Sequence, residues 1–261
     1  MTVLGKSPAW QDAGGACSGY LVEADGTCVL LDCGSGVFGK LRTLRDYCEV
    51  DAVVISHLHA DHILDLVPYA SALTYAPRQQ PVPVGGFPGT DKPARPQLLA
   101  PHGAAQALRR VCGGAGMKDE HVEQAFDMHE YAPEDTFELG PMQVRFRTVP
   151  HFLPTHAVEF REGDSRLTYS ADSSPSEELC DFARGTALLL IEATLPRPER
   201  EGPRGHLTPR EAGDHGRRAG ARRLVLTHFS DEMDADWARA EAEQSFGGPV
   251  EVAYEGMIFE L

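Results

Sequence analysis

The pattern of apolar and polar residues near the N-terminus predicts a hairpin followed by a buried strand. Residues 17–33 read CSGYLVEADGTCVLLDC, with an Asp-Gly pair between two apolar runs. Asp-Gly is a preferred sequence for the two-residue turn of an antiparallel hairpin. Residues 50–56, VDAVVIS, are instead almost continuously apolar and β-branched. Such a run is typical of a strand that is buried on both faces of its sheet.

Helical spacing follows this strand and returns later in the chain. From Asp61 onwards, DHILDLVPYASALTYA places apolar residues at helical intervals, and Pro68 predicts an early break or kink. Residues 104–112 and 119–131 are predicted as two further helices. Residues 209–220 form another, which lies between two apolar runs and ends at a glycine.

The sequence pattern of most of the remaining segments is typical of strands. Residues 77–103 contain seven prolines and predict an irregular surface connection. Residues 142–149 alternate apolar and polar positions, whereas residues 187–193 and 222–227 are apolar runs typical of buried strands. Because strands precede and follow helices in both halves, we expect sheets covered by helices in one domain over residues 1–261.

Composition narrows the class of protein. The chain is 42% hydrophobic and 24% charged, as in ordinary globular proteins, and has no apolar run of about 18 residues that could span a membrane. Its first residues lack the basic and apolar segments of a secretory signal. The six cysteines contain no C-x-x-C pair, which is typical of reduced thiols. These features predict a cytoplasmic protein without a thiolate metal site.

The charge balance bears on the partners. Lys and Arg number 24 against 39 Asp and Glu, so the net charge is -15. Binding of a nucleic-acid backbone relies on clustered cations. A nucleic-acid partner is therefore disfavoured, although an acidic chain can carry a local basic patch. A small anionic substrate that is bound through a metal ion is not excluded.

Residues 56–62, SHLHADH, place three histidines and an aspartate within seven positions. His57 and His59, two apart in extended chain, point the same way. Asp61 and His62 lie where the predicted helix begins and can approach from a second direction. Nitrogen and oxygen donors of this kind suit zinc first, then manganese or iron.

Three more metal-capable side chains follow predicted strands: His151, Asp172 and His228. Side chains at the ends of strands on a rigid sheet can converge on one point. Each is a weak signal alone, but together with SHLHADH they predict a metal site. Asp32 in LLDCGSG is interpreted as a structural carboxylate that ties down the loop beside it.

On these segments the chain resembles the metallo-β-lactamase superfamily. The resemblance runs from LLDCGSG through SHLHADH, VPH, YSAD and LTHFS, and so covers nearly the whole chain. It implies an α/β fold, the αββα sandwich of two mixed sheets flanked by helices, with two divalent metal ions at one edge between the sheets. By resemblance, His57, His59 and His151 bind one ion, Asp61, His62 and His228 bind the other, and Asp172 bridges them.

Two neighbouring ions lower the pKa of a bridging water and clamp an anionic centre, which favours hydrolysis. Asp172 is an oxygen ligand where many true β-lactamases have cysteine, which counts against antibiotic hydrolysis. No long extra C-terminal helical domain is expected after His228, which counts against a thioesterase of the glyoxalase II type. We therefore expect an enzyme, a metal-dependent hydrolase.

Residues 188–196, LLLIEATLP, and 205–213, GHLTPREAG, are similar to the ribonuclease Z-like phosphodiesterase branch. In that branch the counterpart of His206 protonates the leaving oxygen, and the counterpart of Glu192 orients and charges it. An alkoxide leaving group needs a general acid, and a histidine paired with a carboxylate can supply the proton. Asp61, Glu192 and His206 are thus the predicted catalytic residues.

The chain departs from ribonuclease Z in several ways. Leu64 and Asp65 follow the histidine motif where glycine is common, Ile191 replaces the histidine of a His-Glu-Ala-Thr element, and no long basic arm is visible. The N-terminal half looks closer to bacterial small-substrate relatives, some of which hydrolyse cyclic nucleotides.

The remaining histidines draw weaker predictions: His121, His129 and His215 are expected to be solvated, and substrate contact by His102 or His156 is left open.

Four hypotheses follow. The leading one is a dinuclear zinc phosphodiesterase acting on a small phosphodiester such as a cyclic nucleotide. The alternatives are a tRNA 3′-processing endonuclease with the same site, a lactonase or thioesterase, and a non-catalytic metal-binding protein on this fold. The apparently complete ligand set argues against the last. No membrane partner is expected, and a homodimer is left open.

Overall fold

The predicted hairpin begins the first of two sheets. In the computed structural model, which describes residues 1–261, Asp25 and Gly26 form its turn with φ of 41° and 82°, as a type I′ turn requires. The first sheet has the order β1-β2-β3-β4-β5-β6, antiparallel from β1 to β3 and parallel from β3 to β6. Its strands are β1 (Thr2–Gly5), β2 (Gly19–Ala24), β3 (Thr27–Leu31), β4 (Ala52–Val54), β5 (Gln97–Pro101) and β6 (Asp127–Tyr131).

The second sheet is formed by the C-terminal half of the chain. Its order is β13-β12-β11-β10-β9-β8-β7, with parallel pairs from β10 to β13 and antiparallel pairs from β7 to β10. Both sheets are therefore mixed. The strands are β7 (Thr136–Leu139), β8 (Met142–Val149), β9 (Thr155–Glu162), β10 (Ser165–Tyr169), β11 (Leu188–Glu192), β12 (Arg223–Thr227) and β13 (Glu251–Val252).

Eight helices cover the outer faces of the sheets, five on the first and three on the second. No helix combines the length and the apolar character needed to cross a membrane. The helices are α1 (Val37–Leu44), α2 (Ala60–Ile63), α3 (Leu66–Tyr75), α4 (Ala104–Gly114), α5 (His121–Ala125), α6 (Glu177–Phe182), α7 (Pro209–Ala219) and α8 (Ala235–Phe246).

Three apolar layers separate the helices and the sheets. In β3, Val29 and Leu31 face the second sheet, whereas Leu30 faces the helices of the first. In β11, Leu190 faces the first sheet and Leu189 faces α6–α8. Side chains alternate between the faces of a strand, so a strand with two covered faces needs an unbroken apolar run. The predicted αββα sandwich is confirmed.

Two predictions from the pattern were wrong in part. The proline-rich connection is irregular only as far as residue 96, because residues 97–101 form β5. The helix predicted over residues 119–131 is α5 followed by β6. Most side chains of β6 are solvent-accessible because β6 is the edge strand of its sheet, so its sequence is polar and lacks the apolar run of a buried strand.

Candidate metal centre

A first cluster of donor atoms lies at the carboxyl ends of β4, β8 and β10. His59 Nδ1 is 3.1 Å from His57 Nε2 and 3.1 Å from His151 Nε2. Asp172 Oδ2 is 3.7 Å from His57 Nε2 and 3.8 Å from His151 Nε2. Three imidazole nitrogens and one carboxylate oxygen thus face a common point.

A second cluster adjoins the first and shares Asp172. Asp61 Oδ2 is 3.4 Å from His62 Nε2 and 3.2 Å from His228 Nε2. The other oxygen of Asp172, Oδ1, is 3.5 Å from His62 Nε2 and 3.4 Å from His228 Nε2. Asp172 therefore turns one oxygen to each cluster. The seven side chains expected from the sequence all come together here.

The donor set fits two divalent metal ions. A tetrahedral zinc site with Zn–N distances of about 2.0–2.1 Å has edges of about 3.3 Å, close to the spacings in both clusters. His62 Nε2 and Asp172 Oδ1 are buried and have no hydrogen-bond partner. Buried polar atoms in native proteins are almost always paired, and a cation bound between these two atoms would satisfy both.

The electrostatics of the first cluster suit cation binding. Burial lowers the pKa of His57, His59 and His151, which keeps these imidazoles neutral. A neutral imidazole is the form that binds a metal.

In the second cluster, the carboxylates and the histidines change each other's pKa values. Burial opposes ionisation of Asp61, but His228 and His62 outweigh it and hold its pKa well below the usual range. Asp172 behaves in the same way. Burial lowers the pKa of His62, yet Asp172 and Asp32 outweigh burial and raise it well above the usual value. The cluster therefore attracts positive charge, which a bound divalent ion would supply.

Outer hydrogen bonds fix the imidazole rings. Asp32 accepts from the Ser56 amide at 2.7 Å and the Ser56 hydroxyl at 2.8 Å, and lies 2.7 Å from His62 Nδ1. Ser56 Oγ is in turn 3.1 Å from His57 Nδ1. With Nδ1 donating, the Nε2 atoms face the clusters, as in metal-ligating histidines. Asp32 is therefore a structural carboxylate, as predicted.

His151 and His228 are oriented by partners that the sequence did not reveal. His151 Nδ1 lies 2.7 Å from the carbonyl oxygen of Gly205, and His228 Nδ1 lies 2.8 Å from Thr194 Oγ1. A backbone carbonyl leaves no side-chain signal in a sequence. Thr194 does stand in the quoted segment LLLIEATLP, two residues after Glu192, where a hydroxyl could have been considered.

Three residues at these strand ends have left-handed backbone conformations although none is glycine. Asp32, Ala171 and His228 have φ of 56°, 52° and 54°. Such conformations cost free energy and cluster at functional sites, where the surrounding structure enforces them. The turns re-aim the chain so that Asp172 and His228 enter the clusters.

Glu192 and His206 meet beside the clusters. His206 Nδ1 is 2.9 Å from Glu192 Oε1 and 4.0 Å from Asp172 Oδ2. Burial lowers the pKa of His206, but the hydrogen bond and charge of Glu192, with the charge of Asp172, outweigh it and raise the pKa to about 9. Glu192 is fully buried and accepts from the amides of Ser173, Thr194 and Leu207.

The loop that carries His206 is braced against α7. Thr208 caps this helix in a capping box with Glu211, which satisfies two amide groups at the helix start. Arg204 donates to both oxygens of Glu211 at 2.9 Å and also contacts the carbonyl of His206 at 3.3 Å. His206 is thus held by its neighbours on both sides.

The remaining histidines lie outside the clusters. His121 and His215 are buried, so the prediction that they are solvated was wrong; His121 Nε2 lies 3.0 Å from Ser71 Oγ, and His215 Nε2 accepts from the Ser176 amide. His129 is exposed, as expected, and His102 is exposed beside Glu130. His156 is buried in β9 against Tyr131. None belongs to a donor cluster.

Gly34 allows the loop after β3 to pass close to the backbone of α2, and Gly34→Ala is expected to lower the free energy of unfolding. A Cβ atom there would lie 1.9 Å from the carbonyl oxygen of Asp61. We expect a loss at the upper end of the about 1–3 kcal/mol typical of overpacking, measured by urea unfolding. Gly39→Ala is the matched control, because its Cβ meets nothing within 4 Å in α1. An unchanged Gly34→Ala midpoint would contradict the prediction.

The chain is similar to known proteins over most or all of its length. A family model described as "Beta-lactamase superfamily domain" matches residues 27–229. The probable metallo-hydrolase YhfI of Bacillus subtilis (strain 168) is 29% identical, over 100% of this chain and 99% of that protein. Ribonuclease Z of Myxococcus xanthus (strain DK1622) is also 29% identical, over 100% of this chain and 97% of that protein.

Solved structures give the same result. The crystal structure of YhfI, a metallo-beta-lactamase fold protein, matches with a TM-score of 0.84 and 26% identity, over 99% of this chain and 98% of that one. Human tRNase Z, short form, shares the fold with a TM-score of 0.74 and 20% identity, over 99% and 98% of the two chains. The chain therefore belongs to the metallo-β-lactamase superfamily and is a hydrolase of that superfamily.

Proposed function

We propose that the protein is a dinuclear zinc phosphodiesterase that hydrolyses a small phosphodiester, with cyclic nucleotides as the favoured substrates. The observation that carries the proposal is the contact between Glu192 and His206 beside the two donor clusters. In the proposed assignment His57, His59 and His151 would hold one ion, Asp61, His62 and His228 would hold the other, and Asp172 would serve both.

The position of His206 supports phosphodiester hydrolysis over thioester hydrolysis. Its ring centroid lies 4.9 Å from that of His151 and 5.7 Å from that of His228. An alkoxide leaving from phosphorus needs a proton, whereas a thiolate leaving group does so far less. A histidine held at the metal centre by a carboxylate therefore favours the phosphodiesterase over the thioesterase. A lactone also releases an alkoxide, so the lactonase is tested by turnover instead.

In the proposed mechanism some side chains retain the metal ions and others supply a proton to the leaving group. When bound, two divalent ions supply Lewis acidity and lower the pKa of water at the centre. Glu192 holds His206 through Nδ1, which leaves Nε2 as the nitrogen that donates a proton to the leaving oxygen. Asp61 and Asp172 contribute the negative charge that retains the cations. Water adds across the phosphorus–oxygen bond, so a cyclic diester opens to a monoester and a free hydroxyl.

A tRNA 3′-processing endonuclease is the second candidate, and the similarity to ribonuclease Z over the whole chain favours it. The net charge of -15 counts against it, because tRNA binding relies on phosphate contacts by cations.

All six cysteines are free thiols, which supports our proposal of a cytoplasmic location for either activity.

Turnover by zinc- and manganese-loaded protein tests the proposal directly. Cyclic AMP, a tRNA precursor, a lactone and a thioester are offered in parallel, with product analysis for each. We expect cyclic AMP to be converted to a nucleoside monophosphate. Cleavage of the tRNA precursor alone, with binding that falls steeply with salt, would replace the small-substrate proposal by the endonuclease.

A further inference from the structure

An exposed aromatic side chain borders the metal centre and has no part in the chemistry above. Phe152 directly follows His151, and 52% of it is exposed. Its ring centroid lies 4.9 Å from that of His151 and 6.0 Å from that of His206. Single exposed apolar residues are common on protein surfaces, so exposure alone says little about a role. The position of this ring beside the proposed acid is informative.

The ring of Phe152 packs against Gly205. A Cβ atom at Gly205 would lie 2.1 Å from Phe152 Cε2, so only glycine leaves room for the ring in this position. The carbonyl of Gly205 faces His151 Nδ1 at 2.7 Å, and its amide donates to Glu199 at 3.0 Å. The backbone of Gly205, against which the ring packs, is therefore fixed by hydrogen bonds. The same backbone orients His151 and leads into His206.

The neighbourhood of His206 defines which part of a substrate the ring would meet. A general acid lies next to the leaving oxygen, so the group attached to that oxygen lies on the same side of the centre. In a 3′,5′-cyclic nucleotide, the ribose that carries the leaving oxygen also carries the base. An aromatic ring beside His206 is thus within the region that a base would occupy.

We propose that Phe152 forms the wall of a subsite that stacks the nucleobase of the substrate, an inference that rests on the proposed function. Exposed aromatic side chains stack bases with little sequence preference, because every base has a π-face. Such contacts typically change affinity by about 5- to 150-fold. The subsite selects diesters whose leaving-group side bears a planar ring, and it makes Phe152 a specificity-determining residue.

The test compares the binding of AMP and ribose 5-phosphate to zinc-loaded protein by calorimetry. We expect wild type to prefer AMP by about tenfold or more. Phe152→Leu should abolish this preference without weakening ribose 5-phosphate, whereas Phe152→Trp should keep it. Gly205→Ala should also reduce it, since the added methyl group displaces the ring. Phe87→Leu, at another exposed phenylalanine, is the matched control and should behave like wild type.

Kinetics and metal content complete the test. Phe152→Leu should raise the KM for cyclic AMP with kcat and zinc content unchanged, because stacking contributes equally to bound substrate and transition state. Equal affinity of wild type for the two ligands, or an equal loss of both in Phe152→Leu, would overturn the subsite. A retained preference for AMP in a protein that hydrolyses no phosphodiester would overturn the proposed function instead.

Discussion

Asp172→Ala is expected to remove both metal sites and to abolish measurable hydrolysis of cyclic AMP. The two oxygens of Asp172 face different clusters, Oδ2 towards His57 and His151 and Oδ1 towards His62 and His228. Loss of an outer hydrogen-bond partner typically lowers metal affinity or activity by about 10–100-fold. Loss of a side chain shared by two ions should exceed this range, because each ion loses a negatively charged ligand.

Metal content measured by mass spectrometry after dialysis distinguishes this explanation from a loss of folding. We expect two zinc ions per wild-type chain and fewer than one per Asp172→Ala chain, with unchanged circular dichroism. Asp236→Ala is the matched control, since the Asp236 side chain is 86% exposed at the start of α8. Two retained ions together with full turnover would rule out the proposed bridging role.

The donor clusters could be predicted because their residues follow recognisable strands. Runs such as VDAVVIS and RRLVLT are apolar on both faces, since one face packs on the other sheet and the other face on helices. Parallel strands end at the same edge, so the polar residues that follow them meet there. His57, Asp172 and His228 were therefore candidates from local patterns, and the resemblance to the superfamily assigned them to the two ions.

The features that the sequence did not reveal depend on contacts between distant segments. Gly205 orients His151 through its backbone carbonyl, which any residue would possess. His215 is buried, and its imidazole accepts from the amide of Ser176, 39 positions away. The polarity of β6 reflects its position at the edge of a sheet, which only the strand order defines.

The hydrogen bonds of Glu192 determine which residue gives the cleaner test of acid catalysis. Thr194 Oγ1 donates to Glu192 Oε2 at 2.8 Å and accepts from His228 Nδ1, while His206 Nδ1 donates to Glu192 Oε1. A change at Glu192 would thus disturb a proposed metal ligand as well as the proposed acid. His206 is the better position, because its ring makes no hydrogen bond to a proposed ligand.

His206→Ala should lower turnover according to the leaving group. On cyclic AMP, whose leaving alkoxide requires a proton, we expect a loss of about 10²–10⁴-fold in kcat, the usual contribution of a general acid. On bis(p-nitrophenyl) phosphate, whose nitrophenolate leaves without protonation, we expect little change. The measurement is the ratio of the two turnover rates, with zinc content determined on the same samples. His129→Ala, at a histidine whose side chain is 50% exposed, is the control.

The two substrates separate the outcomes. A loss confined to cyclic AMP, with two zinc ions retained, is the result expected of an acid that acts on the leaving oxygen. An equal loss on both substrates with lower zinc content would mean that His206 supports the metal centre rather than the leaving group. Wild-type turnover of cyclic AMP by His206→Ala would show that the proton comes from elsewhere, and the contact between Glu192 and His206 would then be structural.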